Sequence, residues 1–460
     1  MVDKGVLRQL TAVIAGSMSI MNVGIILGWT SPIMEELLGP NSPIPMTVDE
    51  SSWFASVYNW GLILGSIPCG MIADRWGRRP VLLMIGPVAL ATWMALIFIG
   101  TFRGLIAVRL MQGLLAGGAY TVVPLYVGEI AGPKIRGALG TTFQIMMYVG
   151  ILFVYVAGMY LDYGQLTYAA MAGPVLFCAF FPFVPESPHF YVMKNRLREA
   201  KRTMLWLRGD DSSGGHAVTD DEMNAVVECI CEEMRDASFT DLFTDLVSLK
   251  ALIVVQGLSV FRVMAGVPAL IAYASITFAE VHVDETANRL SLVFACWLLF
   301  SSLPAAALSD RAGRRPLMIA SSASCFALNA IICAYFYADR HTGYDVTTYG
   351  WLCVTATSGL CVAFNLGFGT LYSTINCELF PSNSRSLANA LNTITLTFTS
   401  FVVLKAYPVI AMDGGMYRNY LISSMFCLSS TVFCWLWLPE TKGQTFAAIQ
   451  QQLRGTNRVT

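Results

Sequence analysis

The stretch GMIADRWGRRP, residues 70–80, returns as AALSDRAGRRP at residues 306–316. Two more pairs follow in the same order: GEIAGPKIRG at 128–137 with CELFPSNSRS at 377–386, and PESP at 185–188 with PETK at 439–442. The offsets of Asp310 from Asp74, Glu378 from Glu129 and Glu440 from Glu186 are nearly constant and about half the chain length. One recurring motif is a coincidence; three in register read as a unit written twice. In the first motif the polar segment is too short for anything but a tight turn between two helices, and Gly77 permits that turn.

The segments around these turns belong in a bilayer. Of 460 residues, 55% are hydrophobic and 13% charged, with a mean hydropathy of +0.58, a balance no water-exposed globular surface accommodates. A net charge of -1 gives no reason to expect nucleic acid. No zinc-type cysteine spacing, phosphate-cradling glycine loop or nucleophile elbow points to an enzyme, a metal or a cofactor. Of the 12 cysteines, only Cys229 and Cys231 lie outside apolar segments, so no disulfide framework is implied. The opening MVDKGVLRQL runs into apolar sequence without a small-residue cleavage site and reads as a retained first span.

Apolar stretches of about 20 residues predict twelve spans, at 9–34, 51–73, 80–100, 104–127, 138–162, 166–184, 248–279, 287–309, 316–338, 349–376, 386–411 and 416–438. The expected fold is an all-α membrane protein of two six-helix halves. Its units are a first half (1–184), a linker with short helices (185–247), a second half (248–438) and a tail (439–460). The linker carries KNRLREAKR, a flexible DDSSGGH and the acidic VTDDEMNAVVECICEEMRD. Among the 29 Lys and Arg, only Arg103, Arg109, Arg262, Arg289, Arg340, Lys405 and Arg418 fall outside the termini, the linker and the loops on the terminal side. The positive-inside bias therefore orients both termini to the cytoplasm.

Each repeat carries paired charge. Asp74, Arg75, Arg78 and Arg79, with Glu129, Arg136 and Glu186, recur as Asp310, Arg311, Arg314 and Arg315, with Glu378, Arg385 and Glu440. Arginines in the turns can reach carboxylates on neighbouring helix ends. Such a cluster can latch one conformation and release it when the halves rock. The other reading is that these residues only obey charge topology at loops.

These residues carry a resemblance. DRWGRR, RLMQGLLAGGAYTVVPLYVGEIAGPKIRG, PESP, DRAGRR, ELFP and PETKG, in that order, resemble the sugar porters of the major facilitator superfamily. GWTSP at 28–32 and FTSFVVLKAYP at 398–408 are similar to its facilitated trehalose transporter-like branch. The resemblance implies two six-helix halves around a central cavity, with alternating access without ATP in the plasma membrane. The partners it implies are a small-molecule solute, a sugar, and the lipid bilayer.

The same resemblance bears on energy source and substrate. Proton-coupled members carry an aspartate in the first span, where this chain has Gly28, Trp29 and Thr30; no carboxylate remains there to carry a proton, which implies facilitative movement. The family's fifth-span glutamine is present as Gln144. Its seventh-span QQLSGIN falls on RVMAGVP, so the glutamines become Arg262 and Val263 and the asparagine becomes Pro268. The eighth-span asparagine falls on Leu298, GPIPW on GTLYS at 369–373, and the eleventh-span NW pair on Leu396 and Thr397. His189 replaces an arginine of the inner network. The charged turns are intact while most sugar ligands are replaced.

Thr30, Gln144, Arg262, Asn365 and Tyr273 are the candidate substrate contacts. Arg262 falls near mid-membrane, where an arginine facing lipid costs roughly 2.5–3.5 kcal/mol, so it should face the cavity. Backbone carbonyls freed at Gly266 and Pro268, Asn365, Asn376, cavity water or an anionic ligand can each satisfy it. The asparagines can equally make ordinary interhelical hydrogen bonds, and Tyr273 can be packing. Two other functions stay open: a carrier of a different, anionic solute, and a non-transporting sensor.

Overall fold

The computed structural model describes residues 4–40, 42–131, 136–209, 227, 246–342, 346–380, 382–442, 444 and 452, with no side-chain description at 136–140, 246, 306–312, 377 and 382–387. All regular structure in these residues is helical. Ten helices are long and apolar enough to cross a bilayer; Val48–Trp76 and Arg136–Ala157 bring the spans among the described residues to the twelve expected. In chain order the others are Lys4–Leu38, Arg78–Phe98, Phe102–Ile130, Tyr163–Phe183, Val247–Ala279, Ala287–Ala312, Arg314–His341, Thr347–Asn376, Ser382–Gly414 and Tyr417–Trp437. Apart from Val227, the acidic stretch of the linker lies outside the described residues; what is described before it is two short helices, Pro188–Met193 and Leu197–Arg208.

Several helices outrun their apolar windows because capping continues them into polar sequence. The second span starts at Val48, where Thr47 accepts from the Glu50 backbone N–H and Glu50 accepts from the Thr47 N–H. That reciprocal pair satisfies two donors the helix itself leaves orphaned.

Spans 1–6 pack together and spans 7–12 pack together. In the first half, Gly61 and Gly65 of the second span lie against Leu110 and Leu114, and Gly113 and Gly117 of the fourth against Tyr58 and Leu62. A Cβ at any of them would run into the partner's backbone, which is the small-residue solution to helix association in lipid. The halves meet where the second span packs on the eleventh, the fifth on the eighth, and the first on the seventh.

Two spans are interrupted beside this junction. The seventh breaks between Met264 and Val267, with Gly266 at φ 96 and Pro268 in the first turn of the next helix. The tenth contains a π-helical segment, Asn365–Gly369, a form that frequently accompanies function.

Candidate functional site

The charged turns lie at the terminus-bearing end of the bundle, and their described residues correspond in the two halves. Gly77 (φ 111) and Gly313 (φ 89) end one helix and start the next within a single residue. The Arg78 guanidinium, buried, lies 3.2 Å from Asp74 and 3.0 Å from Glu129. Its counterpart Arg314 lies 3.1 Å from Glu378. Arg79 donates to the Pro182 carbonyl and Arg315 to the Trp435 carbonyl. His189 Nδ1 is 3.7 Å from Glu129.

Glu186 and Glu440 do something the sequence did not announce. Each takes the backbone N–H groups at the start of the helix after the glycine: Arg78 and Arg79 donate to Glu186, and Arg314 and Arg315 to Glu440. The glutamates therefore cap helix N-termini, where donors and dipole both favour an anion. Burial pushes the Glu186 carboxyl above its ordinary value, outweighing those donors. Burial also pushes Glu440 up, yet four backbone N–H groups, from Lys442, Arg314, Arg315 and Thr441, more than offset it and hold that carboxyl below its ordinary value. Arg75 is exposed. The side chains of Arg136, Asp310, Arg311 and Arg385 lie outside the described residues. Every described ion pair in these clusters ties spans within one half, so each cluster braces a half as a unit.

Contacts between the halves fall at mid-bundle and toward the opposite end. Tyr148 donates to Asn365 Oδ1 at 2.8 Å and Tyr155 to the Ile271 carbonyl at 2.6 Å. Ser31 Oγ is 3.0 Å from Ser275 Oγ and accepts from the Ser275 N–H. Lys405 Nζ is 2.6 Å from Asp49 Oδ1.

The five candidate contacts are not gathered into one ring. Thr30 is buried and donates to its own Leu27 carbonyl. Tyr273 is buried, stacked on Tyr407 with centroids 5.2 Å apart, and donates to the Leu404 carbonyl. Asn365 donates to the Leu298 carbonyl and Ser301 Oγ while accepting from Tyr148, so its amide is fully engaged inside the protein. Gln144 is half-buried, and its side chain meets the Tyr148 hydroxyl one turn on.

Arg262 stands apart. Its guanidinium lies over the Tyr372 ring, 4.8 Å from the centroid, while Tyr120 and Tyr148 of the first half are within electrostatic reach. It is half-buried. Neither Asn365 nor Asn376 satisfies it: Asn376 donates to Asn389, and the cation finds an aromatic face where sequence reasoning weighed carbonyls and amides. Tyr372 was missed because its partner is set by the tenth-span distortion, invisible to periodicity.

Sequence reasoning also gave no role to Arg109. It is 1% exposed, donates to the carbonyls of Ile26 and Phe54 and to Gln112 Oε1, and is surrounded by the rings of Trp29, Phe54 and Tyr58. Among the described residues no carboxylate pairs with it. An arginine in apolar sequence was the available signal. A separate recess of about 280 Å³, lined by Glu36, Ile44, Leu96 and Tyr163, lies within the first half away from the junction.

Residues 9–453 match the family profile described as Sugar (and other) transporter. The chain is 29% identical over 453 residues to the facilitated trehalose transporter Tret1 of Bombyx mori, covering 98% of this chain and 88% of that protein. It is 26% identical over 454 residues to the Tret1 of Polypedilum vanderplanki, covering 98% and 89%. The fold is similar to that of the xylose transporter XylE from E. coli in a partially occluded inward-open conformation, with a TM-score of 0.76 at 17% identity over 95% of this chain and 98% of that one.

Proposed function

Because the chain belongs to the sugar (and other) transporter family, we propose that it is a facilitative carrier that moves a sugar such as trehalose or a hexose by alternating access, without proton coupling. It works in the plasma membrane with both termini cytoplasmic, the orientation the distribution of Lys and Arg favours. Two rigid six-helix halves rock about the junction. The capped turns brace each half, and the inter-half hydrogen bonds at mid-bundle and the opposite end make and break.

One observation carries the uniport reading. Where a proton-coupled relative places an aspartate, Thr30 turns its hydroxyl onto its own helix, and the buried Arg109 is held by carbonyls and rings instead of a carboxylate. A proton carrier in mid-membrane needs a group that ionises there.

The test is net uptake of trehalose and glucose down an inward gradient into proteoliposomes holding a trapped pH dye, with counterflow in the same preparation as the measure of carriage. Solute-dependent uptake with no change in lumenal pH is expected. Acidification in step with solute entry would show a symporter and end the uniport reading; no counterflow of any solute would end the carrier reading and favour a sensor.

A further inference from the structure

The junction between the halves is built asymmetrically in charge. Arg262 sits near the middle of the seventh span, just before the Gly266 break. Its guanidinium face is covered by Tyr372. That ring is itself fixed: Tyr372 OH is 2.9 Å from Ser259 Oγ, whose single proton is within reach of the Val255 carbonyl and Asn392 Oδ1. Tyr372, Ser259 and Asn392 are 6%, 0% and 4% exposed. Three spans thus cooperate to hold one aromatic platform under one cation.

Stacking covers the face of a guanidinium and leaves its in-plane N–H groups pointing outward. Among the described residues no carboxylate pairs with Arg262. The first half adds polar groups within electrostatic reach of the cation: Tyr148, whose hydroxyl meets the Gln144 side chain, and Tyr120, whose hydroxyl donates to the weak acceptor Met147 Sδ at 3.1 Å. Among the described residues the site offers a positive charge and hydroxyl groups, with no acidic acceptor to balance the charge.

We propose that Arg262 on its Tyr372 platform is a subsite for an anionic group, a carboxylate or a phosphate, borne by the transported solute; this rests on the reading of the chain as a carrier of sugar-type solutes and narrows its substrate class to sugar acids or sugar phosphates. A sugar hydroxyl carries no charge, and a neutral amide would meet it without the burden of desolvating a charge. A planar oxyanion takes two parallel N–H bonds from one guanidinium and supplies the missing counter-charge.

The test uses the full-length chain in proteoliposomes, with labelled glucose in counterflow and glucose, glucuronate and glucose 6-phosphate as competitors. At least one acid should compete at tenfold lower concentration than glucose, and which one does distinguishes carboxylate from phosphate. Arg262→Gln should abolish that preference, Arg262→Lys should keep part of it, and Tyr372→Phe, which keeps the ring, should retain it. The acid-to-glucose ratio is read within each preparation, so a variant that folds in lower yield still reports; thermal stabilisation by each probe gives a second reading. Glucose counterflow with neither acid competing better than glucose, or an unchanged ratio in Arg262→Gln, overturns the subsite and leaves the carrier reading standing. Stabilisation by an acid that Arg262→Gln removes, with no counterflow of any solute, supports the subsite and ends the carrier reading. No stabilisation and no counterflow overturns both.

Discussion

Lys405 Nζ lies 2.6 Å from Asp49 Oδ1, joining the eleventh span to the first turn of the second across the boundary between the halves. The same ammonium donates to Ser52 Oγ at 2.7 Å and sits 4.6 Å from the centre of the Trp53 ring. The tie is at the end opposite the charged turns, near the Ser31–Ser275 contact that also crosses the boundary. Any motion that separates the halves at this end must break it.

Asp49 is 70% exposed, so screening limits the ion pair to about 0.2–1 kcal/mol, up to roughly fivefold in a conformational equilibrium. Lys405→Met should therefore raise access to this end by up to that factor. Thiol labelling of a reporter cysteine at the buried Ala274, followed by site-resolved mass spectrometry, measures it. Asp49→Asn should give a similar increase, and the double variant little more. Strict additivity would show that the two side chains act independently.

Gly77 and Gly313 should not be equally replaceable. Both combine positive φ with extended ψ, 111 and 160 at Gly77, 89 and 152 at Gly313, a region nearly reserved for glycine and costing other residues about 1–3 kcal/mol. At Gly77 an added Cβ also meets the Glu186 carboxylate and, at 3.2 Å, the Phe190 ring; at Gly313 the nearest atom is Glu440 Oε2 at 3.0 Å. Gly77→Ala should lower the unfolding temperature in detergent more than Gly313→Ala. Equal losses would mean that backbone strain alone decides.

The charge-bearing turns were legible in the sequence because their chemistry is local. A glycine between two helices, an arginine after it and an acid in register in both halves say most of what the structure shows. What stayed hidden is how Glu186 and Glu440 act, since donors at a helix start belong to the backbone and leave no mark in composition. The twelve spans were legible from hydropathy, with ends short by several residues wherever a cap such as Thr47–Glu50 extends the helix into polar sequence. The junction was the least legible part. The sequence places Arg262 near mid-membrane, yet its partner Tyr372 depends on how the tenth span unwinds at Asn365–Gly369, and Tyr148 meets Asn365 across 217 positions of sequence. Contacts between halves obey no local period.

Glu186 and Glu440, matched in position, should titrate in opposite senses. Burial raises Glu186, so the folded protein holds that proton more tightly than the unfolded chain does; its penalty is present at neutral pH and relieved as pH falls toward the ordinary glutamate value of about 4.3. Glu440 is held below its ordinary value by backbone donors, so its contribution is full above that value and lost as pH falls through the lowered one. Compared with Glu186→Gln, the wild type should gain relative stability between pH 7 and 4. Compared with Glu440→Gln, it should lose stability over the acid end of the range. Unfolding temperatures of the three proteins against pH measure both slopes, and slopes of the same sign would show that the two caps are electrostatically equivalent.

Arg109 is a cation with carbonyls and rings for company. Its Nη1 donates to the Ile26 carbonyl at 2.9 Å, and Thr30 lies one helical turn beyond Ile26 on the same face. Thr30→Asp should place a carboxylate within reach of the guanidinium, converting a position whose hydroxyl turns back on Leu27 into one that can ionise. Two forces then act on the introduced group: burial favours its protonated form, and the neighbouring cation favours its charged form. Glucose counterflow by the wild type should be flat between pH 5 and 8, whereas Thr30→Asp should acquire a slope in that range and move protons with solute. Arg109→Gln in the Thr30→Asp background should shift the slope to higher pH, since removing the cation leaves burial unopposed. A variant as flat as the wild type would place Arg109 out of reach of position 30 and leave its role to packing against Trp29, Phe54 and Tyr58.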